Sequence, residues 1–183
     1  MDKEIKRKIL TLLDQHRIMT VATLRPDGWP HATTVGYANE ELTLYLLCGL
    51  NSQKAANLAR DDRVSLTIDH DTSDIMAISG LSMAGRAQAV TDRAEAGKVM
   101  QMLVRKYPEQ VSLPGPMPSP EEVRIFRVTP TVISVLDYSK GFGHTDLIRV
   151  SDDVEEAPDL VEEADLELFP ASDPPAWTRT TLR

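Results

Sequence analysis

The segment from Ile18 to Ile68 constrains the fold most, because its apolar residues alternate with polar ones along short runs that turn residues separate. Alternation with a period of two predicts half-buried β-strands, whereas a helix repeats its apolar face every three or four residues. Pro26, Asp27 and Gly28 stand between the first two runs, and this combination favours a tight turn. We therefore predict strands at 18–24, 31–37, 42–48 and 64–69, turns at 25–28 and 39–40, and a short helix at 52–60.

The flanking sequence adds further strands and two more helices. Residues 75–90 are long for one strand, and Gly80 and Gly85 interrupt the run, which indicates a bend or a bulge. Residues 108–120 hold five of the 12 prolines and are predicted to form an extended loop. The remaining predicted elements are helices at 2–16 and 93–107, strands at 123–128, 131–136 and 146–150, and a glycine-containing loop at 138–144. Six or more strands with two or three helices indicate a mainly β (α+β) domain.

Charge divides the chain into a neutral body and an acidic tail. Residues 151–183 carry 10 acidic and 2 basic residues, which leaves 18 of each sign in residues 1–150. We predict a folded domain at 1–150 followed by an acidic, proline-containing C-terminal tail at 151–183. A neutral body lacks the broad basic surface that binds nucleic acid, so no nucleic-acid partner is expected.

Compartment and membrane association are predicted from the same composition. Cys48 is the single cysteine, which excludes an intrachain disulfide and fits a reducing compartment. The N-terminus is charged, and no run approaches the roughly 20 apolar residues of a membrane span. We expect a cytoplasmic protein with no membrane partner.

The start of the predicted helix at 52–60 could hold a phosphate. The free N–H groups and positive dipole end of a helix suit an anion. Ser52 can cap this helix or donate its hydroxyl, and Lys54 adds a charge and three donors. The alternative is ordinary capping with a solvated surface lysine, which these residues alone leave open.

Three motifs together resemble a known family. Residues 22–30, Ala-Thr-Leu-Arg-Pro-Asp-Gly-Trp-Pro, are similar to an A-T-x-x-x-x-G-x-P entry strand, and residues 52–66 to an S-R-K-x-x-x-L-x-x-N-P-R-V-S-L block. Gly85-Arg86-Ala87 is similar to a later G-x-A strand. In this order and spacing they resemble the pyridoxamine 5′-phosphate oxidase-like family of flavin mononucleotide (FMN)-binding split barrels, over about residues 15–140.

The resemblance implies a six-stranded split β-barrel with flanking helices, working as a homodimer with FMN at the subunit interface. Carried over by position, the helix start would hold the phosphate, and two strands would line the flavin and its ribityl chain. A glycine of the other subunit would approach the same cofactor. The residues implied to bind the cofactor are Thr33, Thr34, Val35, Gly36, Leu47, Cys48, Ser52, Gln53, Lys54 and Gly80. No metal ligand is predicted.

Departures from the family pattern weaken the implied phosphate seat. Gln53 stands where the oxidases carry arginine, Thr33 replaces a basic residue, and Cys48 replaces threonine. Charged hydrogen bonds contribute about 1.5–3 kcal/mol each, so two missing cations predict weaker FMN retention. The aromatic-plus-arginine terminus that holds pyridoxamine phosphate is absent from the sequence, and the tail is acidic. We therefore do not expect a vitamin B6 oxidase.

The resemblance implies an FMN-dependent oxidoreductase whose flavin N5 accepts or donates hydride. The electron donor would be a reduced nicotinamide or a deazaflavin, and the substrate and catalytic residues are not predicted. Two alternatives stay open on the same barrel: a non-catalytic flavin- or haem-binding sensor or carrier, and a deazaflavin (F420)-dependent reductase.

Other polar residues invite a role but have simpler explanations. The loop at 138–144 carries Tyr138, Lys140 and His144, which would contact a ligand if the loop folded over the flavin. His70 lies among aspartates, a pattern that favours a solvated loop over a hard-metal site. His16 ends the first helix, where a cation suits the helix dipole.

Overall fold

The computed structural model describes residues 1–109 and 122–150. Most of the predicted proline-rich loop and the whole predicted tail lie outside these residues. Single 3-10 turns lie at Ile75–Ala77 and Tyr138–Lys140. The helices and strands are α1 (Lys3–Gln15), β1 (Ile18–Leu24), β2 (Pro30–Glu40), β3 (Thr43–Gly49), α2 (Gln53–Arg60), β4 (Arg63–Ile68), β5 (Ser79–Ala89), α3 (Arg93–Lys106), β6 (Val123–Asp137) and β7 (Thr145–Arg149).

The strands form a closed antiparallel barrel. Their order is β3-β2-β1-β4-β5-β6, and pairing of β6 with β3 closes the ring of six. β7 adds a seventh strand beside the second half of β6. In the described part of the chain three α-helices flank this barrel, so the predicted mainly β, six-stranded fold is confirmed. No described helix is long and apolar enough to cross a membrane.

Alternation along each strand fills the barrel with apolar side chains. The core cluster draws alternate residues from the strands, such as Leu44, Leu46 and Cys48 of β3. α1 contributes Ile9 and Leu13, which are fully buried in the same cluster. α3 packs outside the barrel, where its Val99 and Leu103 join the opposite faces of β2, β3 and β6 in a second cluster.

Three predicted strand limits were wrong. β5 begins at Ser79 rather than at residue 75, because Ile75–Ala77 forms a 3-10 turn. β2 runs on to Glu40, and the turn lies at Glu41 and Leu42, two residues later than predicted, with Glu41 at a φ of 51°. β6 is one strand from 123 to 137, where two were predicted around Pro130. Pro130 is tolerated because the β5–β6 register shifts between Ala84 and Gly85, directly opposite it. The bend predicted at Gly85 is therefore confirmed as this irregularity.

Lys106 of α3 anchors the end of α1. Its ammonium donates to the carbonyl of Leu13 at 2.7 Å and to Asn39 Oδ1 at 3.3 Å, and lies 3.8 Å from the centre of the Tyr37 ring. The last turn of α1 has no basic residue of its own, so Lys106 supplies the positive charge that this helix end favours. Burial lowers the pKa of Lys106 to about 8, although the nearby Asp14 carboxylate acts in the opposite direction.

This lowered pKa predicts a pH dependence of stability. Between pH 8 and 10.5 the unfolded chain holds more protons at this site than the folded protein, so the contribution of Lys106 to the free energy of unfolding should rise with pH. Lys106→Met should flatten that rise, whatever it does to stability overall. Urea titrations of both proteins from about pH 7.5 to 9.5 measure the slopes, and the difference between them isolates Lys106 from the cysteine and tyrosines that both proteins share. Equal slopes in the two proteins would contradict the assignment.

Candidate functional site

The barrel wall is split between β2 and β3. These strands pair only between residues 37–40 of β2 and 43–46 of β3. The earlier half of β2, residues 30–36, pairs with β1, whereas residues 44–49 of β3 pair with β6. Beyond Tyr37 and Leu46 the two strands therefore part. We call the gap between residues 30–36 of β2 and 47–49 of β3 the split.

A tyrosine side chain holds the strand where it parts. The hydroxyl of Tyr107, the residue that caps the end of α3, accepts from the Tyr37 N–H at 2.9 Å and donates to the Arg17 carbonyl. A side chain on Gly36 would place its Cβ 2.9 Å from this hydroxyl. Gly36 is therefore needed here to admit Tyr107, a packing role that the sequence motif did not reveal.

Backbone groups of β2 face the split. Peptide groups of alternate residues point to opposite sides of a strand. The N–H of Tyr37 faces β1, where Tyr107 and Arg17 lie. The N–H and C=O of Thr34 and Gly36 consequently face the other way, where no described strand pairs with them. They are free to bind a ligand through backbone hydrogen bonds.

The inward face of β2 carries unsatisfied polar atoms. His31 and Thr33 lie opposite the buried Thr23 and Val21 of β1. Within residues 1–109 and 122–150, His31 Nδ1 and Thr33 Oγ1 are buried with no hydrogen-bond partner. Buried polar atoms are rarely left unsatisfied in native proteins, so these two atoms are available to a group outside the described residues.

A polar network fixes α2 beneath this face. Ser52 caps the helix, as predicted, by accepting from the Ala55 N–H at 3.2 Å. Gln53 Nε2 donates to Asn57 Oδ1, and the fully buried Asn57 donates to Thr23 Oγ1, both at 2.9 Å. One of the two N–H donors of the exposed Gln53 is therefore used within α2, and its neutral amide does not supply the charge of the missing arginine.

Lys54 is the most unusual residue of the site. Its side chain lies in the first turn of α2 and is only 8% exposed. Burial lowers the pKa of its ammonium, and no hydrogen bond or ion pair joins it to another described residue. Burying an ammonium without a partner costs free energy, and an anion placed beside it would offset that cost. The alternative of a solvated surface lysine is wrong.

Cys48 and Arg124 lie beside Lys54. They are directly opposite one another on β3 and β6, on the same face as Phe126 of the core. Burial raises the pKa of the Cys48 thiol, while Lys54 and Arg124 act to lower it. The exposed guanidinium of Arg124 forms no ion pair within the described residues. Sequence reasoning missed Arg124, although an arginine at a core-facing position of an apolar strand was a usable signal.

A family model for pyridoxamine 5′-phosphate oxidase matches residues 5–137. The chain belongs to the pyridoxamine 5′-phosphate oxidase family. This confirms the family that the three motifs indicated, and the barrel confirms the fold that the resemblance implied. General stress protein 26 of Bacillus subtilis (strain 168) is 28% identical over 69 residues, or 38% of this chain. The match spans 49% of that relative, about half of its length.

Solved structures with the same fold support the family assignment. The conserved hypothetical protein Rv2991 from Mycobacterium tuberculosis superposes with a TM-score of 0.63 and 26% identity, covering 85% of this chain and 95% of that one. A haem-binding protein from Mycobacterium smegmatis superposes with a TM-score of 0.62 and 20% identity, covering 79% of this chain and 56% of that one. The second likeness shows the fold alone.

Three other residues that the resemblance assigns to the cofactor lie on different faces of the barrel. Val35 lies on the inward face of β2, and Leu47 points outward to the cluster under α3. Gly80 pairs with Leu136 and packs against Ile68 of β4, away from the split. Its predicted approach to a cofactor from a second subunit stays a prediction.

The loop at 138–144 is held away from the split in the single chain. Tyr138 donates its N–H to the carbonyl of Ile78 at 3.0 Å. Asp146 accepts from Lys140 at 3.0 Å and lies 3.2 Å from His144 Nε2, so these polar groups are engaged with one another. Within one chain the loop does not cover the split, and its contact with a ligand stays a prediction.

Proposed function

We propose that this protein binds FMN in the split, with the phosphate at the start of α2, and acts as a flavin-dependent oxidoreductase. The observation that carries the proposal is Lys54, a buried ammonium in the first turn of a helix that has no anionic partner among the described residues. Membership of the pyridoxamine 5′-phosphate oxidase family supports it, and so do the unsatisfied atoms of the split.

Two cations and a helix end suit a phosphate. Lys54 and Arg124 are both close enough to Cys48 to act on its thiol, and neither is paired with a described carboxylate. Ser52 uses its oxygen to cap Ala55 but keeps its hydroxyl proton to donate. A phosphate here would gain charge-assisted hydrogen bonds from the lysine and the arginine together with the positive end of the helix dipole. Arg124 would thus compensate for Gln53.

The backbone of β2 would position the flavin. Thr34 and Gly36 present N–H and C=O groups at the split, and Thr33 offers a hydroxyl without a partner. FMN, when bound, supplies hydride transfer at its N5 atom. The Cys48 thiol stays protonated because burial raises its pKa, so it serves as packing rather than as a nucleophile.

A haem-binding carrier is the second candidate function. It is favoured by the fold shared with the haem-binding protein from Mycobacterium smegmatis and by His31, whose buried Nδ1 has no described partner. In this case the two cations would meet haem propionates instead of a phosphate.

A second copy of the chain would complete the site. The edge of residues 30–36 of β2 is unpaired on its split side in the described structure, and exposed strand edges are normally covered. We propose a homodimer in which the partner closes the split. Light scattering of the full chain should give a mass near twice 20.3 kDa, and a monomeric mass would contradict this part of the proposal.

The ligand itself provides the decisive experiment. The full chain is purified, stripped, and titrated separately with FMN, riboflavin, F420 and haem, with absorbance and fluorescence as readouts. The proposal expects saturable FMN binding, and bleaching of the bound flavin by a reduced nicotinamide or a reduced deazaflavin. Preferential haem binding with a Soret band would favour the second candidate, and binding of neither flavin nor haem would overturn both.

Arg124 provides a test by substitution. Arg124→Gln should weaken FMN binding roughly tenfold, since one charged hydrogen bond of about 1.5 kcal/mol is lost. Riboflavin, which lacks the phosphate, should bind the variant and the wild type equally. Arg127→Gln is the matched control, because Arg127 lies on the same strand but is paired with Glu95 at 2.9 Å. Equal weakening by both variants would remove Arg124 from the phosphate seat.

A further inference from the structure

Two histidines from separate elements meet at one end of the barrel. His16 follows α1 and His70 follows β4, 54 positions apart in the chain. Their ring nitrogens His16 Nε2 and His70 Nδ1 are 3.3 Å apart, and the ring centres are 5.4 Å apart. His70 is exposed and His16 half-buried, so both are accessible to an ion from solvent.

The separation of these nitrogens fits ligands of one metal ion. Imidazole nitrogens bind Zn²⁺ at about 2.0–2.1 Å, so two of them on a tetrahedral ion lie about 3.3–3.4 Å apart. An N–H···O hydrogen bond in proteins most often measures about 2.9–3.0 Å between heavy atoms. A distance of 3.3 Å is long for a hydrogen bond and equals the edge of a metal tetrahedron with imidazole ligands.

The other nitrogen of His16 fixes its orientation. His16 Nδ1 lies 2.8 Å from the carbonyl of Leu12, an acceptor only, so this nitrogen carries the proton. The lone pair then resides on Nε2, which points at His70. Metal-binding histidines commonly donate their other N–H to a backbone carbonyl in this way, which selects the tautomer. The tautomer required for metal binding is thus set by the end of α1.

We propose that His16 and His70 form a binding site for a divalent transition metal ion of the Zn²⁺ class, linking the end of α1 to the end of β4. Imidazole ligands select Zn²⁺, Cu²⁺ or Ni²⁺ over Mg²⁺ and Ca²⁺, which prefer oxygen. Within the described residues no third His, Cys, Asp or Glu completes the group, so water fills the remaining coordination positions. The site is open to exchange, and its occupancy depends on the free metal concentration.

Thermal unfolding of the full chain with Zn²⁺ tests the site. After treatment with a chelator, adding Zn²⁺ to about a hundred times its Kd should raise Tm by roughly 5–10 °C, whereas Mg²⁺ should not. Calorimetric titration should give one Zn²⁺ per chain. His16→Gln and His70→Asn should each weaken Zn²⁺ binding at least tenfold.

His144→Gln is the matched control, since His144 is bonded to Asp146 elsewhere on the surface. It should leave both the Zn²⁺ affinity and the Tm shift unchanged. The absence of a Zn²⁺-dependent shift in the wild type would overturn the proposal, as would equal Zn²⁺ affinity in the wild type and both site variants. Circular dichroism of each variant verifies that a lost response is not a lost fold.

Discussion

Replacement of Lys54 by methionine is expected to stabilise the ligand-free protein and to weaken FMN binding about 10- to 100-fold. Lys54 is 8% exposed and pairs with no other described residue, so its charge costs free energy when no anion is bound. Methionine keeps the apolar stem and removes that cost, which should raise the free energy of unfolding by about 1 kcal/mol. The same change deletes a charged hydrogen bond to the phosphate, a loss of roughly 1.5–3 kcal/mol.

The test is specific because Lys54→Met should raise the free energy of unfolding while it weakens FMN binding. Urea titration of the stripped protein measures stability, and fluorescence titration measures the affinities for FMN and for riboflavin. Riboflavin should bind Lys54→Met and wild type alike, because it carries no phosphate. Lys98→Met is the matched control: Lys98 is half-exposed and paired with Glu40, so its loss should leave FMN binding unchanged. A destabilised Lys54→Met, or one that loses FMN and riboflavin equally, would contradict the phosphate seat.

Gly80→Ala is expected to destabilise the fold by about 2–3 kcal/mol, the largest stability effect predicted here. A Cβ at Gly80 would lie 2.7 Å from the backbone carbonyl oxygen of Ile68 and 3.1 Å from the Asp69 side chain. Backbone of a neighbouring barrel strand cannot move aside as a flexible side chain can, so β4 and β5 must separate. Urea unfolding monitored by circular dichroism measures the loss.

Gly97→Ala is the matched control for this change. Gly97 lies inside α3, and a Cβ there would meet nothing within 4 Å. Alanine should stabilise the helix by about 0.5–1 kcal/mol, since glycine is costly in a helix interior. If Gly80→Ala proved as harmless as Gly97→Ala, the close approach of β4 and β5 would be wrong.

The barrel was predictable because its strands carry local signals. Alternating apolar residues, Pro26-Asp27-Gly28 and the glycines of β5 predicted most strands within a few residues. The position of Lys54 in the first turn of α2 was predicted for the same reason, since helix starts and their capping residues are short-range patterns. What these patterns could not show is that Lys54 is buried, because burial depends on strands distant in the chain.

The features that sequence reasoning missed are all non-local. The length of β2 depends on its change of partner from β1 to β3. Pro130 is accommodated by a shift in the pairing register between β5 and β6. The pairing of Arg124 with Cys48 joins residues 76 positions apart, and the meeting of His16 with His70 is of the same kind. Each depends on pairing geometry that no short window of sequence contains.

The tyrosine that caps α3 has a consequence for how this barrel can vary. Beyond the last β1–β2 residue pair, the Tyr107 hydroxyl takes the place of a direct main-chain hydrogen bond between the strands. It contacts the backbone of both Tyr37 and Arg17. The edge of β2 that faces away from the split is therefore fixed to β1 at this point by a single side chain. A mutation at Tyr107 would remove this one attachment of β2 and leave the main-chain pairing of the other strands intact, so evolution could adjust this strand without rebuilding the barrel.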